Sequence, residues 1–320
     1  MTLPQYVDYG SLVSVPAPFV SLNTTLHGFW FEADRERLEM LCRKIFHEPS
    51  GGAVDVRPIS GHLMISWGQI AQVISQTPPF DRYGGVAEPQ VAVWLPAARV
   101  RQRGDQLVAE HFFMCVPYIW LDNAMSLATG RELFGYPKAW GWLGFPAQDG
   151  TGGFTLDAFG LDYGRDELAA RHPLLELVPT EALSLQETVF DAPRDVARDV
   201  ADHLYERDDE GVHVHRGLRF LESVIADLLQ RRLPTIFLKQ FRSIEDGRGA
   251  ALQQIVTASC SVTRLRAARL ARRHQLTVHD LDSHPVGAEL GLESQPTELA
   301  YKVEMDFEVG GGEVLWDAAR

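Results

Sequence analysis

The chain has 320 residues, with 30 basic and 43 acidic side chains and a net charge of −13. That balance argues against nucleic acid, which needs a basic surface to displace counterions, and against an anionic membrane surface. Hydrophobic residues make up 45%, ordinary for a folded protein, yet no run approaches the ~20 apolar residues of a membrane helix. The opening MTLPQYVDYGSLVSVPAPF has neither a basic nor an apolar signal region, so a cytoplasmic protein is expected. Cys42, Cys115 and Cys260 are odd in number and widely spaced, as expected of free thiols in a reducing compartment. Four of the 30 basic residues are lysine (Lys44, Lys138, Lys239, Lys302), and the other 26 are arginine. Arginine serves here as the general surface charge, which draws attention to each lysine, because arginine cannot do amine chemistry.

The proline-rich first 30 residues read as an irregular lead-in. Over Glu32–Phe46, Leu38, Leu41, Cys42 and Ile45 fall at helical spacing, with Asp34 as the start signal. From about His62 to Phe159 the pattern is that of strands. Val91, Val93 and Leu95 alternate with Ala92 and Trp94, and His111–Leu121 is nearly continuous apolar sequence, as in a strand buried on both faces. The glycine-rich 148–153 segment lacks phosphate-loop spacing and reads as a hairpin turn. Residues 183–232 are expected to form a helical insertion; His213 and His215 within it are too few for a metal site.

Strands return after the insertion. Val256, Ala258, Cys260 and Val262 share one face. The basic run Arg264–Arg273 is compatible with a helix or a strand end, on a solvated face or an intersubunit contact. Tyr301, Val303, Met305, Phe307 and Val309 alternate with Lys302, Glu304, Asp306 and Glu308, the clearest strand of the chain. The regular βαβ alternation of a dinucleotide-binding fold is absent.

The segment with chemical content is Trp120–Trp142, WLDNAMSLATGRELFGYPKAWGW. Lys138 stands among Tyr136, Pro137, Ala139 and Trp140 with no acid adjacent. If buried there, its ammonium is disfavoured, its pKa falls, and the neutral amine becomes a nucleophile for carbonyl carbon. Gly135 and Gly141 would let the backbone turn on either side, and Pro137 constrains the lysine's approach.

The ordered run LDN (121–123), GRE (130–132) and YPK (136–138) resembles the signature of the acetoacetate decarboxylase family. In that family the lysine of YPK forms an imine with substrate, a known case of an activated lysine. A weaker similarity extends over roughly 25–160 and 233–309, including Phe237-Leu238-Lys239. The resemblance implies an α+β, mostly antiparallel fold: one domain over 1–320, a cone-like β-barrel with flanking helices and the insertion at about 183–232. It also implies a homo-oligomer and a Schiff-base carbon–carbon lyase acting on a small oxo acid or ketone, with no metal or other cofactor required. Lys138 and Glu88 are the catalytic candidates. Arg131, Glu132, Tyr136 and Trp67 are the substrate-binding candidates.

The sequence departs from the family at informative places. Ala139 replaces a second lysine, Leu22–Trp30 has no arginine to meet a substrate carboxylate, and Ile65–Trp67 lacks the first active-site glutamate; Glu88 matches the second. Imine formation is expected to survive these losses, and acetoacetate is expected to be a poor substrate. Two alternatives follow: an aldolase-dehydratase using an enamine of an oxo acid such as pyruvate, or a non-catalytic small-molecule binding protein on the same fold.

Overall fold

A computed structural model describes residues 4–8, 10, 14–147, 151–180, 214–215 and 232–319. The expected helical insertion at 183–232 lies almost wholly outside the described residues. The exceptions are Arg232, which opens a long strand, and Val214–His215, a two-residue strand beside 107–108.

The strands in chain order are β1 (Phe19–Glu32), β2 (Val56–Pro58), β3 (His62–Ser75), β4 (Val86–Arg103), β5 (Gln106–Leu121), β6 (Lys138–Gly144), β7 (Phe154–Gly160), β8 (Ala170–Pro179), β9 (Val214–His215), β10 (Arg232–Arg242), β11 (Ala250–Leu270), β12 (His274–Val278), β13 (Leu299–Val309) and β14 (Glu313–Asp317). The helices are α1 (Arg35–Cys42), α2 (Ala124–Leu133) and α3 (Val286–Leu290). Among the described residues, seven strands pair in the order β5-β10-β11-β13-β1-β3-β4 and close through β4–β5. Closure leaves no free edge around this barrel. Within the barrel the β5–β10 pairing is parallel and the other six are antiparallel. No helix among the described residues is long and apolar enough to cross a membrane.

β6 leaves the barrel parallel to β5 and opens a second, antiparallel sheet, β6-β7-β8-β12. The main apolar core lies between this sheet and the barrel's outer face. Phe29, Ile65, Trp67 and Val93 from the barrel pack there with Leu38 of α1, Phe154 and Leu156 of β7 and Leu290 of α3. β6 and β7 pair antiparallel; of the hairpin turn expected at 148–153 between them, residues 148–150 lie outside the described residues. Asp34 caps α1 as expected, its carboxylate accepting from the amides of Glu36 and Arg37. Glu32, the first residue of the segment read at helical spacing, ends β1.

The basic run 264–273 resolves as strand through Leu270. It lies against the charged face of β13, with Arg264 opposite Asp306 and Ala267 opposite Glu304. Arg266 reaches Asp306 at 2.6 Å and Arg269 reaches Glu304 at 3.5 Å. The Arg266 guanidinium, as the first cause, holds the Asp306 carboxyl below its ordinary range. The arginines thus answer the acids that alternate along the last long strand.

Candidate active site

Strand parity makes the site. Successive side chains on a strand face opposite sides. On β13, Tyr301, Val303, Met305, Phe307 and Val309, the apolar half of its alternation, all face the barrel interior. On β4, Glu88, Gln90, Ala92 and Trp94 do the same. Together with the inward faces of the other barrel strands they enclose a cavity of about 610 Å³. The densely packed core is therefore outside the barrel wall, and the inside is a chamber.

The chemistry is concentrated where α2 meets β4 and β6. Asn123 is the N-cap of α2, accepting from the Ser126 amide at 3.1 Å. Its side-chain amide also donates to the Ala87 carbonyl at 2.7 Å. One residue thus ties the start of α2 to the residue before Glu88. The Ser126 hydroxyl donates to Glu88 Oε2.

Lys138 enters from the other side. The Lys138 amide donates to the Tyr136 carbonyl at 2.7 Å, closing a three-residue turn. That turn needs φ near −75° at its centre, a value the Pro137 ring already favours. Gly135 before it adopts φ +74°, and a Cβ there would stand 2.4 Å from the Lys239 Cα, so glycine is required on both counts. Gly130 of α2 leaves room for the lysine stem: a Cβ would fall 2.7 Å from Lys138 Cδ and 2.8 Å from Cε. Gly141, read as a turn glycine, lies within β6, where a Cβ would meet Leu156 at 2.9 Å. Its role is close sheet packing.

The Lys138 side chain ends on the cavity wall, only 6% exposed. Its Nζ donates to Glu88 Oε1 at 2.8 Å, to Ser126 Oγ at 2.8 Å and to the Ser126 carbonyl at 3.3 Å. An ammonium has three protons to donate, and three acceptors surround this one. No acid adjoins Lys138 in the sequence; Glu88, itself 6% exposed, comes from 50 positions away. The Tyr136 ring lies 5.5 Å from Nζ and packs edge-on against Phe237 at 4.2 Å. Burial, as first cause, drives the Tyr136 phenol far above its ordinary value and keeps it neutral.

The six sequence-derived candidates divide. Lys138, Glu88 and Tyr136 line the cavity together. Arg131 turns back and donates to the Lys138 carbonyl at 3.2 Å. Glu132 accepts from Tyr6 at 2.8 Å and Ser14 at 2.9 Å, holding the N-terminal lead-in. Neither side chain is on the cavity wall, because the face of α2 that lines it carries Ser126, Thr129 and Gly130. Trp67 is likewise outside: fully buried, it donates to the Thr155 carbonyl at 3.3 Å and packs on Phe29 and Phe154. Its odd position on β3 points it away from the interior, where Met64, Gly68 and Ile70 face.

The same parity locates the missing family groups. Phe19, Ser21, Thr24, Leu26 and Trp30 are the β1 side chains on the cavity wall, and none is an arginine. Within Ile65–Trp67 the even position is Ser66, whose hydroxyl accepts from Trp94 Nε1 at 2.8 Å. Ser126 and Gly130 were not singled out by sequence reasoning. Reading Asn123 as a helix cap would have put Ser126 three residues on, and Gly130 one turn further on the same face.

No protein-family profile matches the sequence, and no curated protein does. Solved structures do resemble it. Acetoacetate decarboxylase from Legionella pneumophila superposes with a TM-score of 0.62 at 13% identity, covering 100% of this chain and 94% of that one. An acetoacetate decarboxylase-like enzyme from Sphingomonas wittichii RW1 gives 0.54 at 15% identity, covering 98% and 99%. The enduracididine biosynthesis enzyme MppR, in its complex with the condensation product of pyruvate and imidazole 4-carboxaldehyde, gives 0.54 at 14% identity, covering 95% and 91%. At such identities the likeness is one of fold.

Proposed function

We propose that this chain is an enzyme in which Lys138 forms an imine with a carbonyl substrate held in the barrel, and that it acts as a Schiff-base carbon–carbon lyase. The observation that carries this reading is the buried Lys138 Nζ on the cavity wall, with the Glu88 carboxylate 2.8 Å away. The LDN…GRE…YPK run and the fold it shares with acetoacetate decarboxylase support it.

The steps follow from these groups. The Lys138 ammonium passes a proton to Glu88, and the neutral amine attacks the carbonyl carbon to give a carbinolamine. Glu88, now protonated, returns the proton to the carbinolamine hydroxyl, and water leaves with formation of the iminium. The iminium accepts an electron pair from a neighbouring bond. That bond is C–C with loss of CO₂ in a decarboxylation, or C–H with the proton taken by Glu88 in enamine formation. After CO₂ loss a proton adds to the enamine carbon; in the other branch the enamine carbon attacks an aldehyde, whose oxygen takes the proton held by Glu88. Water then hydrolyses the iminium so formed, releasing the product and regenerating the amine. Ser126, bonded to both partners, fixes their relative position. Asn123 and Arg131 act as positioning residues, through the start of α2 and the Lys138 carbonyl.

A specific observation favours the enamine branch, used by an aldolase-dehydratase. The inward side chains Thr24, Leu26, Gly68 and Ile70 bring no cation and no second acid beside Lys138. A departing carboxylate has no clamp there, whereas Glu88 is in place to remove an α-proton. MppR, in the complex described above, carries a condensation product of pyruvate, which lends that branch a precedent on this fold.

The test is borohydride trapping with a panel of 2- and 3-oxo acids and ketones, followed by peptide mapping. A reduced adduct on Lys138 supports the proposal. Lys138-dependent exchange of substrate α-protons in deuterated water supports the enamine branch, and CO₂ release from 3-oxo acids supports the other. Absence of any adduct across the panel overturns the proposal in favour of a non-catalytic binding protein.

A further inference from the structure

The shape and lining of the chamber specify more than a reactive lysine. From Glu88 to Trp94, the cavity-facing residues of β4 span six positions, about 20 Å at 3.3 Å per residue. The far stretch is lined by Trp30, Met64, Trp94 and Tyr301. Tyr301 does not extend a free polar tip there, because its hydroxyl donates to the Met64 sulfur at 2.6 Å. The Trp94 indole N–H is likewise taken, by Ser66. Between the two ends, Ala92, Met114 and Met305 contribute apolar surface and Gln90 a side-chain amide. The charged residues on the described wall are Glu88 and Lys138 at one end, already bonded to each other, and Arg232, which is exposed. A volume of about 610 Å³ falls in the range of sites that enclose drug-sized ligands, hundreds of cubic ångströms. A three- or four-carbon oxo acid would leave most of this chamber unfilled. It would also bring a carboxylate into a chamber whose wall is mostly apolar, which is costly.

We infer that the substrate of this site is a carbonyl compound bearing an extended apolar group. Its ketone or aldehyde lies at Lys138, and its hydrocarbon portion lies along the barrel toward Trp30 and Trp94. The inference rests on the proposed imine chemistry for the position of the carbonyl, and on the cavity alone for the apolar tail. Apolar surface buried in the chamber supplies the binding free energy. Each methylene added to the tail is expected to strengthen binding about fourfold until the chamber is full, the ratio equivalent to ~0.8 kcal/mol.

The experiment uses the intact chain and methyl ketones of rising length, from butanone through octanone to dodecanone, beside pyruvate and acetoacetate. Borohydride trapping is read as the ketone concentration giving half-maximal adduct. In that reaction amine and ketone lose water to form the iminium, and hydride from borohydride reduces its C=N bond to a stable secondary amine. The half-maximal concentration is expected to fall with chain length and to be higher for both oxo acids than for octanone. In parallel, calorimetry on Lys138→Ala measures non-covalent binding of the same ketones, where the same length dependence is expected. Ala92→Phe, which places a ring in mid-barrel, is expected to flatten the length dependence. If pyruvate or acetoacetate is trapped at lower concentration than every long ketone, the inference falls while the imine chemistry stands. If no adduct forms but length-dependent binding persists, the imine chemistry falls and the apolar site stands. Equal binding across the ketone series by both readouts overturns the inference outright.

Discussion

Lys138 Nζ and Glu88 Oε1 meet at 2.8 Å across 50 positions of sequence, both side chains nearly sealed from solvent. A pair so buried is held together by what each partner would lose alone. Removing one partner of a buried ion pair typically costs about 3–5 kcal/mol, whereas replacing both by apolar groups of similar size is close to neutral. We therefore expect Glu88→Leu to lower the melting temperature sharply, and Lys138→Met with Glu88→Leu together to recover most of it. Thermal unfolding of the two single variants and the double variant checks this. Equal losses that simply add would show that the two groups are not coupled.

Glu88→Gln keeps the shape of the pair and removes its proton acceptor. General acid–base assistance is commonly worth about 10²–10⁴-fold. Imine formation at fixed ketone, followed by quenched-flow borohydride trapping, is expected to slow by that order in Glu88→Gln and to disappear in Lys138→Ala. A Glu88→Gln rate within twofold of the wild type would remove Glu88 from the chemistry.

Gly130→Ala sets two effects against each other. Alanine favours a helix interior over glycine by about 1 kcal/mol, but the new Cβ would fall 2.7 Å from Lys138 Cδ. The lysine stem is the softer party, so we expect near-wild-type stability together with at least tenfold less adduct. Melting temperature and trapping yield, measured on one preparation, separate the two outcomes.

Trp67→Ala tests the reassignment of that side chain from cavity to core. A large aromatic cut to alanine in a packed core costs about 3–5 kcal/mol. The expected result is a strongly destabilised protein whose remaining folded fraction traps ketones with unchanged half-maximal concentration. A weakened half-maximal concentration, at temperatures where the variant is folded, would return Trp67 to the binding site.

Acid sensitivity should come in part from two imidazoles, the buried His274 and the half-buried His27. Burial, as first cause, pushes His27 and His274 down to about 4, helped at His27 by the Lys302 charge. Both rings pack on Phe154, at 4.9 and 5.7 Å. Unfolded histidine titrates near 6.5, so between about pH 6.5 and 4 the unfolded chain binds more protons than the folded one. Stability is then full above about pH 6.5 and declines as the pH falls toward 4, by on the order of 2–3 kcal/mol for each ring. Urea unfolding midpoints at pH 7 and pH 5 should differ accordingly, and His27→Phe should shrink the difference. An unchanged difference would exclude His27 as a source.

Much of this protein is legible in its sequence, because period and motif are local properties. The alternation over 301–309 dictates a strand with one apolar face, Asp34 marks the start of a helix, and the YPK run isolates one lysine among four. Local chemistry also accounts for the turn at Pro137 and for Gly135 before it. Tertiary structure decided what those faces meet. The apolar half of β13 covers an open chamber rather than a filled core, because closure of seven strands leaves more space inside than their side chains occupy. Parity along β3 sent Trp67 outward, and a frame set one residue differently would have reversed it. Ser126 could be joined to Lys138, and the candidate Glu88 brought into contact with it, only once β4 and α2 were side by side, tied through Asn123. Such a relation depends on how strands pair across the barrel, and no spacing within a single segment encodes it.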